Sequence, residues 1–169
     1  MSLETVETMP ELAGKYITFE LDGEMYGIRL TNIREIIGMT KITAIPRAPE
    51  FVLGVINIRG KVLPVMDLRV RFGIAVKEID DRTPIIVCDV EEEGASLRVG
   101  VIVDSVSEVL QVQDEDVEEA PSFGLNIDTK FIAGMAKSND RVQTLINIGY
   151  VITSSELGSI RDISESLSQ

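Results

Sequence analysis

The side chains that most often perform enzyme chemistry are scarce in this chain. Its 169 residues include no histidine, so Ser-His and Cys-His catalytic pairs and histidine metal sites are excluded. Neighbouring carboxylates such as Asp80-Asp81 could support acid–base chemistry only if they were buried, and they lie in a polar connecting segment. Phosphate-binding glycine motifs are absent as well. The sequence therefore predicts no catalytic site, no metal site and no cofactor.

The one cysteine, Cys88, lies in the mostly apolar run 85–90, which is typical of a buried strand. A single thiol allows no disulfide within the chain, which favours a reducing cytoplasm. The N-terminal residues 1–13 are polar and acidic and do not resemble a secretory signal. No apolar run reaches the roughly 20 residues that span a bilayer. We therefore expect a cytoplasmic protein without direct membrane insertion.

The net charge of −12 is unevenly distributed. Residues 24–77 contain nine basic and four acidic side chains, whereas residues 78–128 contain two basic and fifteen acidic ones. Such polarity suits a module that contacts two different surfaces or assembles head to tail, and solvated acidic turns explain the same composition equally well. Nucleic-acid binding is disfavoured, because the pI is about 4.4 and only 5% of the residues are aromatic.

An internal repeat organises the chain. Two segments recur without gaps and in the same order, residues 26–37 as 99–110 and residues 51–68 as 131–148. Gly27 matches Gly100 in the first pair, and Gly54 matches Gly134 in the second. Together the two matches indicate one β-rich unit that occurs twice. A duplicated chain without catalytic residues usually works by presenting surfaces.

Short strands separated by turns are predicted to position the residues of the repeated segments. Asp22-Gly23 and Arg59-Gly60 are hairpin turn signals. The strands are predicted at residues 16–21, 25–30, 42–45, 54–58, 61–68, 85–90, 96–103, 109–112, 131–137 and 142–148. Residues 32–37 fit a helical turn or a bulged strand equally well, and residues 68–72 fit a helical turn. The pattern predicts an all-β fold of two small antiparallel barrels, because closure removes exposed strand edges.

The ends of the chain differ from this β pattern. Leu157, Ile160, Ile163 and Leu167 recur at helical spacing, which predicts a short C-terminal helix packed on a barrel. The loop at residues 113–129 is long for a compact domain. We expect residues 14–152 to form a single domain of two interleaved β-barrel subdomains. Residues 1–13 would then be a flexible tail, and residues 153–169 a C-terminal helix or tail.

Residues 54–68, with the sequence GVINIRGKVLPVMDL, closely resemble the signature of the CheW family of chemotaxis coupling proteins. Further matches are Tyr26-Gly27-Ile28, Ile45-Pro46 and the run 99–106, so that the resemblance covers about residues 14–152. It implies two five-stranded SH3-like barrels related by a pseudo-twofold axis, without enzymatic activity or cofactor. The regulatory domain of CheA and the receiver-bearing CheV are related alternatives. No receiver-type pattern follows the module here, so a free-standing adaptor is expected.

The resemblance also implies partners and contact residues. The partners are the cytoplasmic tip of chemoreceptors (methyl-accepting chemotaxis proteins) and the regulatory domain of the histidine kinase CheA, in a membrane-associated receptor array with other CheW copies. The implied receptor-binding residues are Leu30, Ile33, Glu35, Ile36, Val106 and Val109. The implied kinase-binding or coupling residues are Met39, Ile42, Arg59 and Lys61. Contact is favoured over core filling for Ile33 and Val106, whereas the two roles are balanced for Ile36 and Val109. An ion pair between Arg59 and Glu35 is expected, and the second copy of the unit has Asn139 where the first has Arg59.

Overall fold

The computed structural model describes residues 12–92, 95–118, 131–138 and 140–151. The strands are β1 Gly14–Leu21, β2 Glu24–Arg29, β3 Ile33–Ile37, β4 Val52–Ile58, β5 Lys61–Asp67, β6 Ile85–Glu92, β7 Ala95–Ile102, β8 Ser105–Val112, β9 Val117–Glu118, β10 Ile132–Ser138 and β11 Arg141–Ile146. A short helix, α1 (Leu68–Phe72), follows β5, and 3₁₀ turns occupy Leu30–Asn32, Asp114–Asp116 and Ile148–Tyr150. In the part of the chain described here, no helix is long and apolar enough to cross a bilayer. The predicted C-terminal helix lies outside the described residues.

The strands form two sheets, which confirms the predicted all-β fold. The six-stranded sheet has the order β8-β1-β2-β11-β10-β9, and the five-stranded sheet has the order β3-β6-β7-β5-β4. The sixth strand of the larger sheet is the two-residue β9. Neighbouring strands pair in antiparallel fashion except at β2–β11 and β5–β7, where they are parallel.

The two parallel pairs join the two copies of the repeated unit. Val65 in β5 pairs with Gly100 in β7, and the repeat-equivalent residues Leu145 in β11 and Gly27 in β2 pair in the same way. A Cβ atom on Gly100 would lie 2.9 Å from Ile85 Cγ2 and 3.5 Å from Val65 Cγ2, so glycine leaves room for these two side chains. Each sheet thus contains strands from both copies. The charge polarity of the sequence consequently does not separate into one basic and one acidic sheet.

Residues 42–45 do not form the predicted strand. Only Thr43 pairs, in a single bridge with Val55. Pro46 follows directly and has no N–H to donate, which ends the pairing. Gly54 adopts a φ of +150° at a β-bulge, and a Cβ there would lie 2.1 Å from Thr43 O. The bulge recurs at the equivalent Gly134 of β10, so the repeat extends to this irregularity.

The largest apolar cluster lies between the sheets and draws on both. It contains Phe19 and Ile28 from the six-stranded sheet and Met66 and Val101 from the five-stranded sheet. Cys88 is fully buried in the same cluster, which confirms the prediction for its strand. Two smaller clusters lie within the individual sheets. Because the shared cluster is the largest of the three, burial of apolar surface holds the two sheets against each other.

Candidate partner-binding surfaces

The edge strand β3 directs its predicted contact residues to two different faces. Ile36 lies opposite Ile86 of β6, and Glu35 lies opposite Val87. Residues directly opposite each other on paired strands share a face. Ile86 belongs to the cluster between the sheets, whereas Val87 belongs to the cluster within the five-stranded sheet. Glu35 therefore faces away from Ile36, and the six predicted receptor-binding residues do not form one patch.

The edge strand β8 of the other sheet is the repeat equivalent of β3. Val106 and Val109 occupy the positions of Ile33 and Ile36. The exposed fractions of Ile36 and Val109 are 41% and 51%, whereas Ile33 and Val106 are half-buried against the cluster between the sheets. Exposure thus favours Ile36 and Val109 as contact residues, the reverse of the weighting from the sequence. Leu30 is half-buried in the 3₁₀ turn that precedes β3.

Arg59 and Glu35 form the expected ion pair. Arg59 Nη2 donates to Glu35 Oε1 at 2.5 Å, and the side chains are 74% and 32% exposed. Arg59 and Gly60 form the β4–β5 turn with φ angles of 50° and 85°, as a type I′ turn requires. Asn57 Oδ1 accepts a hydrogen bond from Gly60 N at 2.9 Å and fixes this turn. The turn therefore presents Arg59 to the face on which Glu35 lies. Asn139, the counterpart of Arg59, lies outside the described residues.

The other predicted coupling residues surround the same sheet. Lys61 is exposed at the start of β5, and Met39 and Ile42 are half-buried against the cluster within the five-stranded sheet. A cleft of about 110 Å³ lies beside the ion pair and is lined by Glu35, Arg59, Lys61 and Arg98 among others. We call these four residues, together with Arg34 and Asp89, the ion-paired face. The structure thus groups Glu35 with the coupling residues.

The second ion-paired group on this face was not predicted. Asp89 accepts hydrogen bonds from Arg34 Nε and from Arg98 Nε, the latter at 3.1 Å. Burial raises the pKa of Asp89, but the bonds from Arg98 and Arg34 outweigh burial and hold the pKa below its ordinary value. A carboxylate directly after the apolar run 85–88 was the signal available in the sequence. The ion-paired face has four basic and two acidic side chains, which makes it positive on a chain of net charge −12.

A buried network of charges joins the two sheets and was not predicted from the sequence. Arg69 donates to Asp67 through Nε and Nη2, each at 2.9 Å, and to Asp104 through Nη1 at 3.0 Å. These side chains are 1%, 2% and 3% exposed. Asp104 Oδ2 also accepts from the backbone N–H of Asp22, in the β1–β2 turn, at 2.7 Å. The hydrogen bond with Asp67 raises the pKa of Arg69 above its ordinary value despite burial. The network is structural, because it is closed to solvent.

The remaining carboxylates that the structure describes do not assemble into a reactive group. Asp80 and Asp81 are exposed, and Asp80 Oδ1 accepts a hydrogen bond from Arg82 N in a turn. Among the residues that the structure describes, no cluster of three or more His, Cys, Asp or Glu side chains could hold a metal ion. The predicted contact residues on the described surface thus lie on two exposed aliphatic edges and one ion-paired face.

Known proteins match this chain in both sequence and fold. The sequence model of the CheW-like domain matches residues 15–156. The chain is 32% identical over 164 residues to the chemotaxis protein CheW of Klebsiella aerogenes, covering 94% of this chain and 96% of that protein. It is 36% identical over 140 residues to the chemotaxis protein CheW of Rhizobium meliloti, covering 83% and 88%. The crystal structure of the scaffolding protein TtCheW from Thermoanaerobacter tengcongensis matches with a TM-score of 0.75 and 34% identity, covering 86% of this chain and 96% of that one. The chain therefore belongs to the CheW-like domain family.

Proposed function

We propose that this chain is a non-enzymatic adaptor of bacterial chemotaxis signalling that couples the cytoplasmic tips of chemoreceptors to the histidine kinase CheA. The match to the CheW-like domain over residues 15–156 carries the proposal. Relatives that share most of the chain are named chemotaxis protein CheW, and the matched structure is described as a scaffolding protein. Such an adaptor would work in the cytoplasm at the membrane-associated receptor array, beside other copies of itself.

The proposed receptor surface consists of the exposed edges of β3 and β8. Ile36 and Val109 would supply direct aliphatic contacts, Ile33 and Val106 would support them from the cluster between the sheets, and Leu30 would extend the surface at the start of β3. An amphipathic helix binds by placing its apolar stripe against aliphatic side chains of this kind. The repeat equivalence of the two strands supports this proposal, because it offers the same aliphatic spacing on both sheets.

The proposed kinase surface is the ion-paired face. Arg59 and Lys61 are exposed there beside Glu35, and Met39 and Ile42 contact the apolar cluster beneath the same sheet. The excess of positive charge would attract an acidic segment of the kinase and raise its association rate. Glu35 would act in this surface by orienting Arg59 rather than by touching the receptor.

Reconstitution tests the coupling function. CheA, a receptor cytoplasmic fragment and this chain are mixed, and kinase autophosphorylation is compared with that of the mixture lacking the chain. We expect the complete mixture to be clearly more active, because the adaptor would bind both partners at once. Equal kinase activity with and without the chain would refute the coupling function.

Charged substitutions on the exposed edges test the receptor surface. Ile36→Asp or Val109→Asp should weaken receptor binding by about 2 kcal/mol or more, roughly 30-fold, because a charge in an apolar interface loses its hydration. Binding to CheA should be unchanged. Val142→Asp is the matched control, because Val142 is similarly exposed but lies at the start of β11. Equal losses for the control, or no loss for either edge variant, would contradict the assignment.

A double-mutant cycle tests the ion-paired face. Arg59→Ala should leave the circular dichroism spectrum intact and lower kinase activation at 0.15 M salt, with a smaller loss of binary affinity. Glu35→Ala should resemble it, and the double variant should be less than additive, because both changes remove one pair. Lys137→Ala provides the control, since Lys137 Nζ pairs with Glu118 Oε1 at 3.0 Å in an equally exposed position on β10. Full activation by Arg59→Ala would exclude Arg59 from coupling.

A further inference from the structure

A cleft of about 630 Å³ opens between α1 and the six-stranded sheet, apart from both proposed partner surfaces. Its walls are mostly apolar and include Tyr26, Val70, Phe72, Ile74, Phe131 and Ile146. The rings of Tyr26, Phe72 and Phe131 form a row, with successive centroids 6.2 Å and 5.5 Å apart. An apolar cleft of this size beside a packed core is a surface suited to aliphatic side chains.

In the other copy of the repeated unit, the region equivalent to this cleft is filled by buried side chains. Phe51 and Val52 are the counterparts of Phe131 and Ile132. Phe51 and Val52 are buried, whereas Phe131 and Ile132 are half-buried on the wall of the cleft. The described residues therefore cover the apolar surface in one copy and leave part of it accessible in the other.

The described part of the chain ends beside this cleft. Val151 is buried, and its carbonyl oxygen accepts a hydrogen bond from Arg71 Nε at 2.8 Å. Arg71 lines the cleft, with its guanidinium carbon 5.0 Å from the ring centroid of Phe131 and 4.6 Å from that of Phe51. The chain thus leaves the core at the wall of the cleft, with residues 152–169 still to follow.

Residues 152–169 lie outside the described residues, and their sequence carries one apolar stripe. Leu157, Ile160, Ile163 and Leu167 recur at the spacing of one helix face, and the residues between them are glycine or polar. A five-residue connector can span at most about 17 Å, and eleven helical residues extend about 16 Å. The stripe is therefore within reach of the cleft.

We propose that the stripe of Leu157, Ile160, Ile163 and Leu167 docks in this cleft and covers the row of aromatic rings. The stripe presents aliphatic side chains, and the cleft presents the apolar surface that such side chains need in order to leave water. Attachment at Val151 gives the stripe a high effective concentration at the cleft, so it outcompetes a second copy or a partner helix of similar intrinsic affinity. The inference is independent of the proposed adaptor function.

Thiol labelling of the full chain tests the docking. Thr144 lines the cleft and is replaced by cysteine, while the native Cys88 is buried and remains unlabelled as long as the protein is folded. Adding Ile160→Asp should accelerate labelling of Thr144→Cys about tenfold, because it expels the stripe. Ser166→Asp is the control, since it adds the same charge off the stripe and should not change the rate. An exposed reporter, Ser96→Cys, should label equally fast in every background.

The results separate docking from its alternatives. Equal labelling with and without Ile160→Asp would overturn the proposal, and so would protection that depends on protein concentration, which would indicate a second copy. Labelling of Cys88 would show that Ile160→Asp unfolds the protein. In that case the pair Thr144→Cys and Ile160→Cys decides: an intramolecular disulfide on mild oxidation supports docking, and failure to form it overturns docking.

Discussion

Replacing Arg69 with methionine should destabilise the protein more than the loss of any exposed charge described here. Arg69→Met keeps the apolar stem and removes the guanidinium that binds Asp67 and Asp104. Both carboxylates then remain buried without their main cation. Breaking a buried ion pair on one side costs about 3–5 kcal/mol, because the remaining charge has no compensation.

The structure places the expected loss at the lower end of that range. Asp67 Oδ1 keeps the backbone N–H of Arg69 at 2.9 Å, since this bond does not depend on the side chain. Asp104 keeps the N–H of Asp22 and lies 3.7 Å from Lys77 Nζ. Asp67 thus retains one partner and Asp104 retains two, and we expect a loss of about 3 kcal/mol. A domain of this kind is stable by about 5–15 kcal/mol, so the variant should fold but melt early.

Urea unfolding followed by circular dichroism measures the difference. Arg59→Met is the matched control, because it breaks the exposed pair with Glu35 and should cost no more than about 1 kcal/mol. Asp67→Asn in the Arg69→Met background should recover part of the loss, since it removes the carboxylate whose ion pair was with Arg69. A loss below about 1 kcal/mol for Arg69→Met would refute the view that burial makes this network stabilising.

Three further predictions concern folding and pH. A fragment of residues 1–80 should not fold, because β1, β2, β3 and β5 lose pairing partners that lie beyond it, and a cooperative thermal transition near that of the full chain would contradict a shared core. Burial raises the pKa of Cys88 to about 12, so a thiol reagent should label it only on unfolding. The free energy of unfolding should also fall as the pH rises from about 9 towards 12, because the thiol of the unfolded chain loses its proton at a lower pH than the buried thiol. Cys88→Ala should flatten that decline in urea midpoints. Folding lowers the pKa of Asp89, so its contribution to stability is present above about pH 4 and is lost as the pH falls through the folded-state pKa. The Asp89→Asn variant should therefore lose less stability than the unchanged protein between about pH 2 and 5.

Local features of the fold were predictable because short segments specify them. Both hairpin turns were identified from an Asp-Gly or Arg-Gly pair, and both have two successive positive φ angles. For residues 32–37 the sequence fitted a helical turn or a bulged strand equally well. The structure contains both, because a 3₁₀ turn at Leu30–Asn32 leads into the bulged strand β3. The repeat was visible because its two matching segments contain no gaps.

Features that depend on distant pairing were not predictable from one sequence. The sequence did not show that β1 and β6 are repeat equivalents. Aligning Ile17 with Ile86 requires a four-residue gap relative to the alignment of Ile36 with Val109, so the gapless match does not extend to these strands. The bulge between Ile33 and Glu35 places these two residues on opposite faces, and its position follows from pairing with β6. Asp67 precedes Arg69 by two residues, but Asp104 is 35 residues away and reaches Arg69 only in the folded chain.

In the proposed adaptor, β3 is the element on which the two partner surfaces meet. Ile36 faces the side of the cluster between the sheets, and the adjacent Glu35 holds Arg59 on the opposite face. A shift of one residue in a strand moves every side chain to the other face. The register of β3 against β6 therefore determines which side chains lie on each of the two surfaces. The bulge sets the position at which the regular alternation of side chains between the two faces is interrupted. This property suits an adaptor that must hold two partners in a constant relative orientation, because side chains of the same strand belong to both surfaces and the two surfaces cannot reorient independently.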